Sequence, residues 1–557
     1  MFNVKLNSFI SAWLVIILLM PLCIYAEQGT ENKDRTLLSP LELGQRIYQK
    51  GILPNGEPLT AFGKDGLPFK INKTACMDCH RRSGLGSSES GILIPPITGR
   101  YLFKVSDKKG SRLLDKVGAP RPVYTEATLK ALIQNGVRPN GQQLHEIMPR
   151  YKISNKDSDY LITYLKSLTQ EEIPGLRDDR IEFATIITPD MPDDDKKLML
   201  NIMNTYMGHV NKDVRQLGHM KSPIHNRYKP FRKWNLHVWE LTGDSSSWKQ
   251  QLEKKYAEQP VFALLGGYGD WRPIHQFCEQ NKIPSLFPIT DTPGFPEEKT
   301  NRDFYTLYFS KGIKIDADAV AKQILTQNKD NSVGNILQIF DGTAPGSIAV
   351  NMLRRSLLAN NVTNVQDIVI SPSIDITKKS WDNITKKYKP DVIVIWLNEK
   401  QALQILQNQQ NHLPNQIYLS SRMLNQFEPE FLRAKLPLLI QKNTSLVHPF
   451  YLKSKNKRHL LRTQIWLRSN KIKYKKERII ANTYFCLAML SGAIRSSSYN
   501  LNREYLIEQF EHMIDNSVYR SIYPHLSLGP DQRYASKGVY MVNIFPEAKA
   551  EWIIPVN

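Results

Sequence analysis

Residues 76–80 read Cys76-Met77-Asp78-Cys79-His80, and this Cys-x-x-Cys-His spacing decides how the N-terminal part of the chain is read. Two thiols three positions apart on a helical turn reach the two vinyl groups of a haem, while the next residue turns its imidazole onto the iron. The motif predicts one covalently attached haem c, held by Cys76, Cys79 and His80. A zinc half-site would need further ligands, and the chain has no second Cys-x-x-Cys. A thioredoxin-like pair would want a strand-helix context, whereas this stretch is rich in loop residues.

Working outward, Ser39-Pro40-Leu41-Glu42 combines an N-cap, a first-turn proline and a capping-box glutamate, and Gly51 closes the helix. A second helix is predicted from Ser154, with Asp157 in its first turn and an apolar face of Leu161, Tyr164, Leu165 and Leu168. Between the motif and this helix lies Leu144-His145-Glu146-Ile147-Met148-Pro149-Arg150-Tyr151. Met148 is the first choice for a sixth iron ligand, because a thioether favours reduced iron and raises the potential. His145 is the alternative. With these residues in view, 39–172 resembles a class I cytochrome c domain, small and all-α. In that family the first and last helices cross at a small residue packed on aromatics, which Gly44, Tyr48 and Tyr164 would supply. Pro95-Pro96 is similar to the loop that supports the proximal histidine. The long insert Ile52–Lys73 departs from the pattern and bears on access to the haem edge.

Beyond Thr169 short β-branched runs alternate with helical stretches. Ile181–Thr188, Val261–Gly266, Ile283–Phe287, Ile336–Phe340, Val392–Leu397 and Ile417–Ser420 read as buried parallel strands. The alternation predicts α/β architecture, with ligand clefts at strand C-termini. Val261–Gly269 followed by Ile283–Pro288, the start of a second lobe at Ile336–Gly346, and Gly529–Arg533 with Gly538-Val539-Tyr540 as a closing hairpin together resemble a type I periplasmic binding protein. Residues 180–557 are thereby expected to form two α/β lobes like the branched-chain amino-acid receptors of ABC transporters. The resemblance places a small polar ligand against Tyr268, Gly269 and Asp270, against Thr290 and Asp291, and against Ser420 and Ser421. Trp271 is expected to crowd the first of these loops, and Asp270 would oppose a ligand carboxylate, so a degenerate or differently selective cleft is implied.

The N-terminus has a short positive region, an apolar run from Phe9 to Leu22, and Ile24-Tyr25-Ala26 as a cleavage site. Residues 1–26 are read as a secretory signal and 27–38 as a linker, which predicts a periplasmic protein. An uncleaved anchor and a lipoprotein at Cys23 are the alternatives. The 557 residues carry 74 Lys and Arg against 53 Asp and Glu, a net charge of +21. Export argues against nucleic acid as a partner despite this charge. Cys278 and Cys486 lie in apolar, helix-like surroundings and read as buried thiols, with a disulfide between them as the alternative. Lys453, Lys455, Lys457, Arg458, Arg462, Arg468, Lys471, Lys473, Lys475, Lys476 and Arg478 form a basic run interleaved with Trp466 and Tyr474. It reads as a solvated face or as a docking surface for an acidic redox partner or, peripherally, the membrane. The combined expectation is an exported monohaem electron-transfer protein with no catalytic side chain, whose binding-protein-like domain docks a partner or senses a small molecule. The alternatives are a solute receptor with a regulatory or structural haem, and a haem peroxidase. Resemblance to fusions that accompany periplasmic alcohol oxidation implies a quinoprotein dehydrogenase as a donor.

Overall fold

A computed structural model describes residues 38–68, 74–89, 92–104, 123–168, 172–218, 232–294, 303–327, 334–409, 413–424, 429–453, 458–497, 500–530, 532–545 and 550–554. The signal stretch, Cys23, residues 27–37 of the linker and Asp531 lie outside these.

The N-terminal unit is built on two capped helices. Pro40–Lys50 has the full capping box between Ser39 and Glu42, and Gly51 ends it in the left-handed region at φ 61°. Asn155–Ser167 is capped by Ser154, whose hydroxyl accepts from the backbone N–H of Asp157. The two helices cross at Gly44, where a Cβ would stand 2.0 Å from the Tyr160 carbonyl oxygen and 2.9 Å from Tyr164 Cβ. Only glycine permits that approach. Tyr48 and Tyr164 meet beside it with ring centroids 5.2 Å apart. Shorter helices Cys76–His80, Gly99–Phe103 and Glu126–Asn135 complete the unit. It is not purely helical as expected. Strand β1 (Thr60–Phe62), from the insert, pairs antiparallel with β4 (Arg150–Lys152), and β2 (Ser87–Glu89) pairs with β3 (Ile92–Ile94). Part of the insert thus covers the Met148 loop.

Two α/β lobes follow. The first sheet has the order β6-β5-β7-β8-β9, all parallel, from β5 (Arg180–Ile187), β6 (Lys233–Glu240), β7 (Ala263–Leu265), β8 (Ser285–Leu286) and β9 (Thr306–Leu307). The second has the order β11-β10-β12-β13-β14-β15-β16. Its strands β10 (Ile336–Phe340), β11 (Val365–Val369), β12 (Val392–Trp396), β13 (Gln416–Ser420) and β14 (Thr444–His448) run parallel. Strands β15 (Val539–Asn543) and β16 (Glu551–Ile553) close it antiparallel. All six predicted strands occur. The expected hairpin from Gly529 does not start there: 532–538 is a crossing segment, and the antiparallel closure begins at Val539.

The chain crosses between the lobes three times, after β9, after β14 and before β15. The crossing segments hydrogen-bond to one another: Tyr308 N–H donates to Arg533 O at 2.7 Å, Ser536 N–H to Phe309 O at 2.7 Å, and Tyr451 N–H to Ile522 O at 2.9 Å. The helix Glu477–Ser497 is apolar enough to cross a membrane, but it is the central core helix of the first lobe, with Ile480, Phe485, Leu487 and Leu490 fully buried. Cys278 and Cys486 are buried free thiols in different clusters, and Cys486 Sγ donates to Leu286 O.

The N-terminal unit sits on the first lobe. Ser83 donates to Glu508 through its backbone N–H (2.8 Å) and its hydroxyl (2.6 Å), with both residues buried. Tyr101 OH donates to Asn500 Oδ1 at 2.8 Å, and the Arg82 guanidinium lies 4.4 Å over the Phe304 ring.

Candidate functional site

Two clusters carry chemistry. In the first, Cys76–His80 forms a five-residue helical turn whose N-terminal amide at Ala75 is satisfied by the Asp78 carboxylate at 3.2 Å. Arg81 leaves the turn at φ 64°, and its carbonyl accepts from Tyr48 OH at 2.7 Å, which pins the motif to the first helix. His80 is buried, and its Nδ1 lies 3.0 Å from the Pro95 carbonyl oxygen. A carbonyl can only accept, so Nδ1 carries the proton and the Nε2 lone pair is left for a metal. Burial lowers the ring pKa to about 4, keeping the imidazole neutral as a ligand must be. Cys76 is buried and its thiol is pushed up to about 12 by burial, while Cys79 is exposed; neither is in a disulfide.

Met148 packs on the same core cluster as Cys76 and Met77. Its loop is held by Arg150, buried, whose guanidinium donates to Met148 O at 2.6 Å and Leu144 O at 3.2 Å. His145 points outward, exposed, accepting from Ile147 N–H. Among the described residues no group of three or more His, Cys, Asp and Glu side chains is gathered as a bare metal ion would need. The donor set fits a porphyrin, which brings its own four nitrogens: two thiols, one neutral imidazole with a fixed tautomer, and a thioether on a braced loop.

The second cluster lies between the lobes. Asp291, in the loop after β8, accepts from Arg422 Nη1 (2.7 Å) and from Arg478 Nη2 (2.7 Å) and Nη1 (3.1 Å). Arg422 follows β13 in the other lobe. Its remaining nitrogens reach Asp316 at 3.4 Å and Ser310 Oγ at 3.0 Å, and Nη1 also donates to Tyr523 OH at 3.2 Å. The ring faces of Phe450 and Tyr523 lie 5.5 and 5.7 Å from the guanidinium carbon. Despite burial, the two arginines hold the Asp291 carboxyl well below its ordinary range, whereas burial raises Asp316 to about 6.

The structure brings five predicted ligand residues to this region, Asp291 among them, and engages the side chains of Ser420, Ser421 and Thr290 internally. Ser420 Oγ donates to Asp316 at 2.8 Å, Ser421 Oγ pairs with His448 Nδ1 at 3.3 Å, and Thr290 Oγ1 accepts from Thr292 N–H at 3.0 Å. Tyr268 is near enough for Arg478 and Asp291 to act on its hydroxyl, which burial raises to about 12. Gly269 and Asp270 serve turn geometry: a Cβ on Gly269 would stand 1.9 Å from Thr188 Oγ1, and Asp270 pairs with Arg272 at 2.6 Å and accepts from Thr292 Oγ1 at 3.0 Å. Trp271 does not crowd the cleft. It is fully buried in the first lobe, with Nε1 donating to Ser285 Oγ at 3.1 Å. Arg478 is removed from the solvated basic run, since it points into the cleft. Arg422 and Asp316 were not singled out in the sequence; the signal available was a cation directly after Ser420-Ser421 at the end of a buried strand. Arg478 Nε, His448 Nε2 and Asn482 Nδ2 are buried with no hydrogen-bond partner among the described residues.

No family model and no curated protein matches the sequence. Among solved structures, the chain is similar to a fatty acid ABC transporter substrate-binding protein from Thermomonospora curvata (TM-score 0.45, 16% identity, covering 69% of this chain and 93% of that one). It is also similar to a branched chain amino acid ABC transporter from Thermus thermophilus with bound valine (0.45, 10%, 66% and 94%). A third is a substrate-binding periplasmic protein from Ralstonia solanacearum (0.44, 12%, 67% and 99%).

Proposed function

We propose that this chain is an exported, periplasmic solute receptor of the two-lobed binding-protein kind, with a haem-bearing N-terminal unit fixed on its first lobe. The observation that carries the receptor reading is the meeting of strand-end loops from both lobes at Asp291, Arg422 and Arg478, above three hydrogen-bonded crossing segments. Opening such a hinge separates Arg422 from Asp291 and exposes polar groups that a small polar ligand could engage. The unpartnered nitrogens of Arg478, His448 and Asn482 supply further contacts for it. The test is a thermal-shift and equilibrium-dialysis screen of amino acids and other small polar solutes. At least one is expected to bind at micromolar or tighter concentration and to lose affinity in Arg422→Met; no binding by any solute would defeat the reading.

The His80–Pro95 contact favours a second reading, electron transfer as the main activity. Cys76 and Cys79 would carry the haem c thioethers, and His80 and Met148 would be the iron ligands. When bound, that group supplies one-electron chemistry. The chain's own part is to fix the His80 tautomer through Pro95, to brace the Met148 loop through Arg150, and to exclude water with Tyr48, Tyr151 and Leu161. The partner would be a redox protein, acidic or a quinoprotein dehydrogenase. Protein from a host able to attach haem should be coloured and heavier by one porphyrin. Met148→Ala should alter the visible spectrum and lower the potential, and an unchanged spectrum and potential would reject Met148.

A further inference from the structure

The helix Leu461–Ser469 and the turn after it expose an arrangement that the two readings above leave unused. Between residues 453 and 478 there are eleven Lys and Arg and one acid, Glu477. Glu477 pairs with Lys453 at 3.2 Å, and Lys476 lies 3.5 Å from Asp195. Arg462, Arg468, Lys471, Lys473 and Lys475 are exposed, and none forms an ion pair among the described residues. The helix is held down by its inner face. Thr463 and Leu467 are buried, and Trp466 packs between Tyr206 and Tyr484 at 5.8 and 5.0 Å. Its outer face presents two large aliphatic side chains one turn apart, Leu461 and Ile465, 43% and 55% exposed, with Tyr474 at 44% nearby.

Solvated basic helices ordinarily keep aliphatic residues turned inward. Here Leu461 and Ile465 point outward among cations whose long stems can lie along an apolar surface while their heads stay wet. We propose that this face docks the protein on an anionic phospholipid surface, with Leu461 and Ile465 entering the headgroup boundary and Arg462, Arg468, Lys471, Lys473 and Lys475 meeting the phosphates. An acidic protein would satisfy the cations equally well, but it gives no reason for an aliphatic pair at the centre of the charge. This surface is independent of both the haem and the interlobe cleft.

The test uses the full mature chain in co-sedimentation with vesicles of phosphatidylcholine alone and of phosphatidylcholine containing about one third phosphatidylglycerol. Binding is expected only to the anionic vesicles and should weaken as salt rises. Arg462→Gln with Arg468→Gln should reduce it about twenty-five-fold, since each cation near such a surface contributes about fivefold. Leu461→Ser with Ile465→Ser should also reduce it, by about tenfold or more. Lys378→Gln with Lys379→Gln, exposed on the helix Lys378–Tyr388 of the other lobe, should leave binding within about twofold if steering by net charge is secondary. Circular dichroism of each variant confirms that the fold is retained. Absence of binding to anionic vesicles overturns the proposal, as does equal loss in the Lys378/Lys379 variant. Insensitivity to the Leu461/Ile465 change also overturns it, since the contact would then rest on charge alone with no aliphatic insertion.

Discussion

Glu508 offers a sharp test of how the two parts of the molecule are joined. It is buried at the junction and accepts two hydrogen bonds from Ser83, three residues beyond His80. Burial raises its pKa from an ordinary 4.5 to about 8; the nearby Glu511 adds to the rise, and Ser83 and Arg81 only partly oppose it. Glu511 is itself occupied by Arg533 at 2.5 Å. Because the folded value lies above the unfolded one, the folded chain holds this proton more tightly. The stabilisation is therefore complete below about pH 4.5 and is lost as pH rises toward 8. At about 1.4 kcal/mol per pH unit, the loss is of the order of 5 kcal/mol. Glu508→Gln keeps an acceptor for the Ser83 amide and cannot ionise. It should match the parent near pH 4.5 and exceed it by about 3–5 kcal/mol above pH 8. Parallel urea unfolding of parent and variant across this range reads the difference. A gap that does not widen with pH, or a variant less stable than the parent at high pH, refutes the reasoning.

Three further outcomes follow from named contacts. Asp291→Ala leaves Arg422 and Arg478 without their shared carboxylate and should cost about 3–5 kcal/mol, with faster proteolysis at the crossing segments as a second readout; unchanged thermal unfolding would show that the ion pairs contribute nothing net. Gly44→Val drives a side chain into the Tyr160 carbonyl and should uncouple the two capped helices, read as loss of helical circular dichroism from the N-terminal unit while the lobes unfold as before. Cys278 and Cys486, with thiols pushed up by burial, should react with a thiol reagent only after denaturant is added; rapid labelling of both in the native protein would contradict their placement.

The parts of the fold that were legible in the sequence are those set by neighbours in the chain. Ser39, Glu42 and Gly51 act within one or two turns, and their helix has the predicted limits. Strands β10, β12 and β13 are buried on both faces, so their apolar residues follow one another without alternation, broken in β10 only by the buried Gln338. Strand β6 escaped notice because Lys-Trp-Asn-Leu-His-Val-Trp-Glu sits at a sheet edge with charged and polar side chains outward. Strand β9 is only two residues long and carries no periodicity to detect. The cleft failed to show itself for a different reason. Ser420, Thr290 and Asp291 stand at strand ends, which are local features of the chain, but what faces them is not local. Arg422 and Arg478 meet Asp291 from 131 and 187 residues away, and Ser83 meets Glu508 from 425. Arg478 in particular was read with its basic neighbours, because nothing local distinguishes it from Lys475 or Lys476. The distinction arises from its position in the first turn of the helix Glu477–Ser497, which aims its side chain at the 290 loop. Residue type at a strand end therefore marks where a site can be built, while the opposite lobe decides whether a carboxylate there awaits a ligand or, like Asp291, already has two cations. That is why the interlobe ion pairs, rather than the serines beside them, are the groups whose removal most directly tests whether the lobes move.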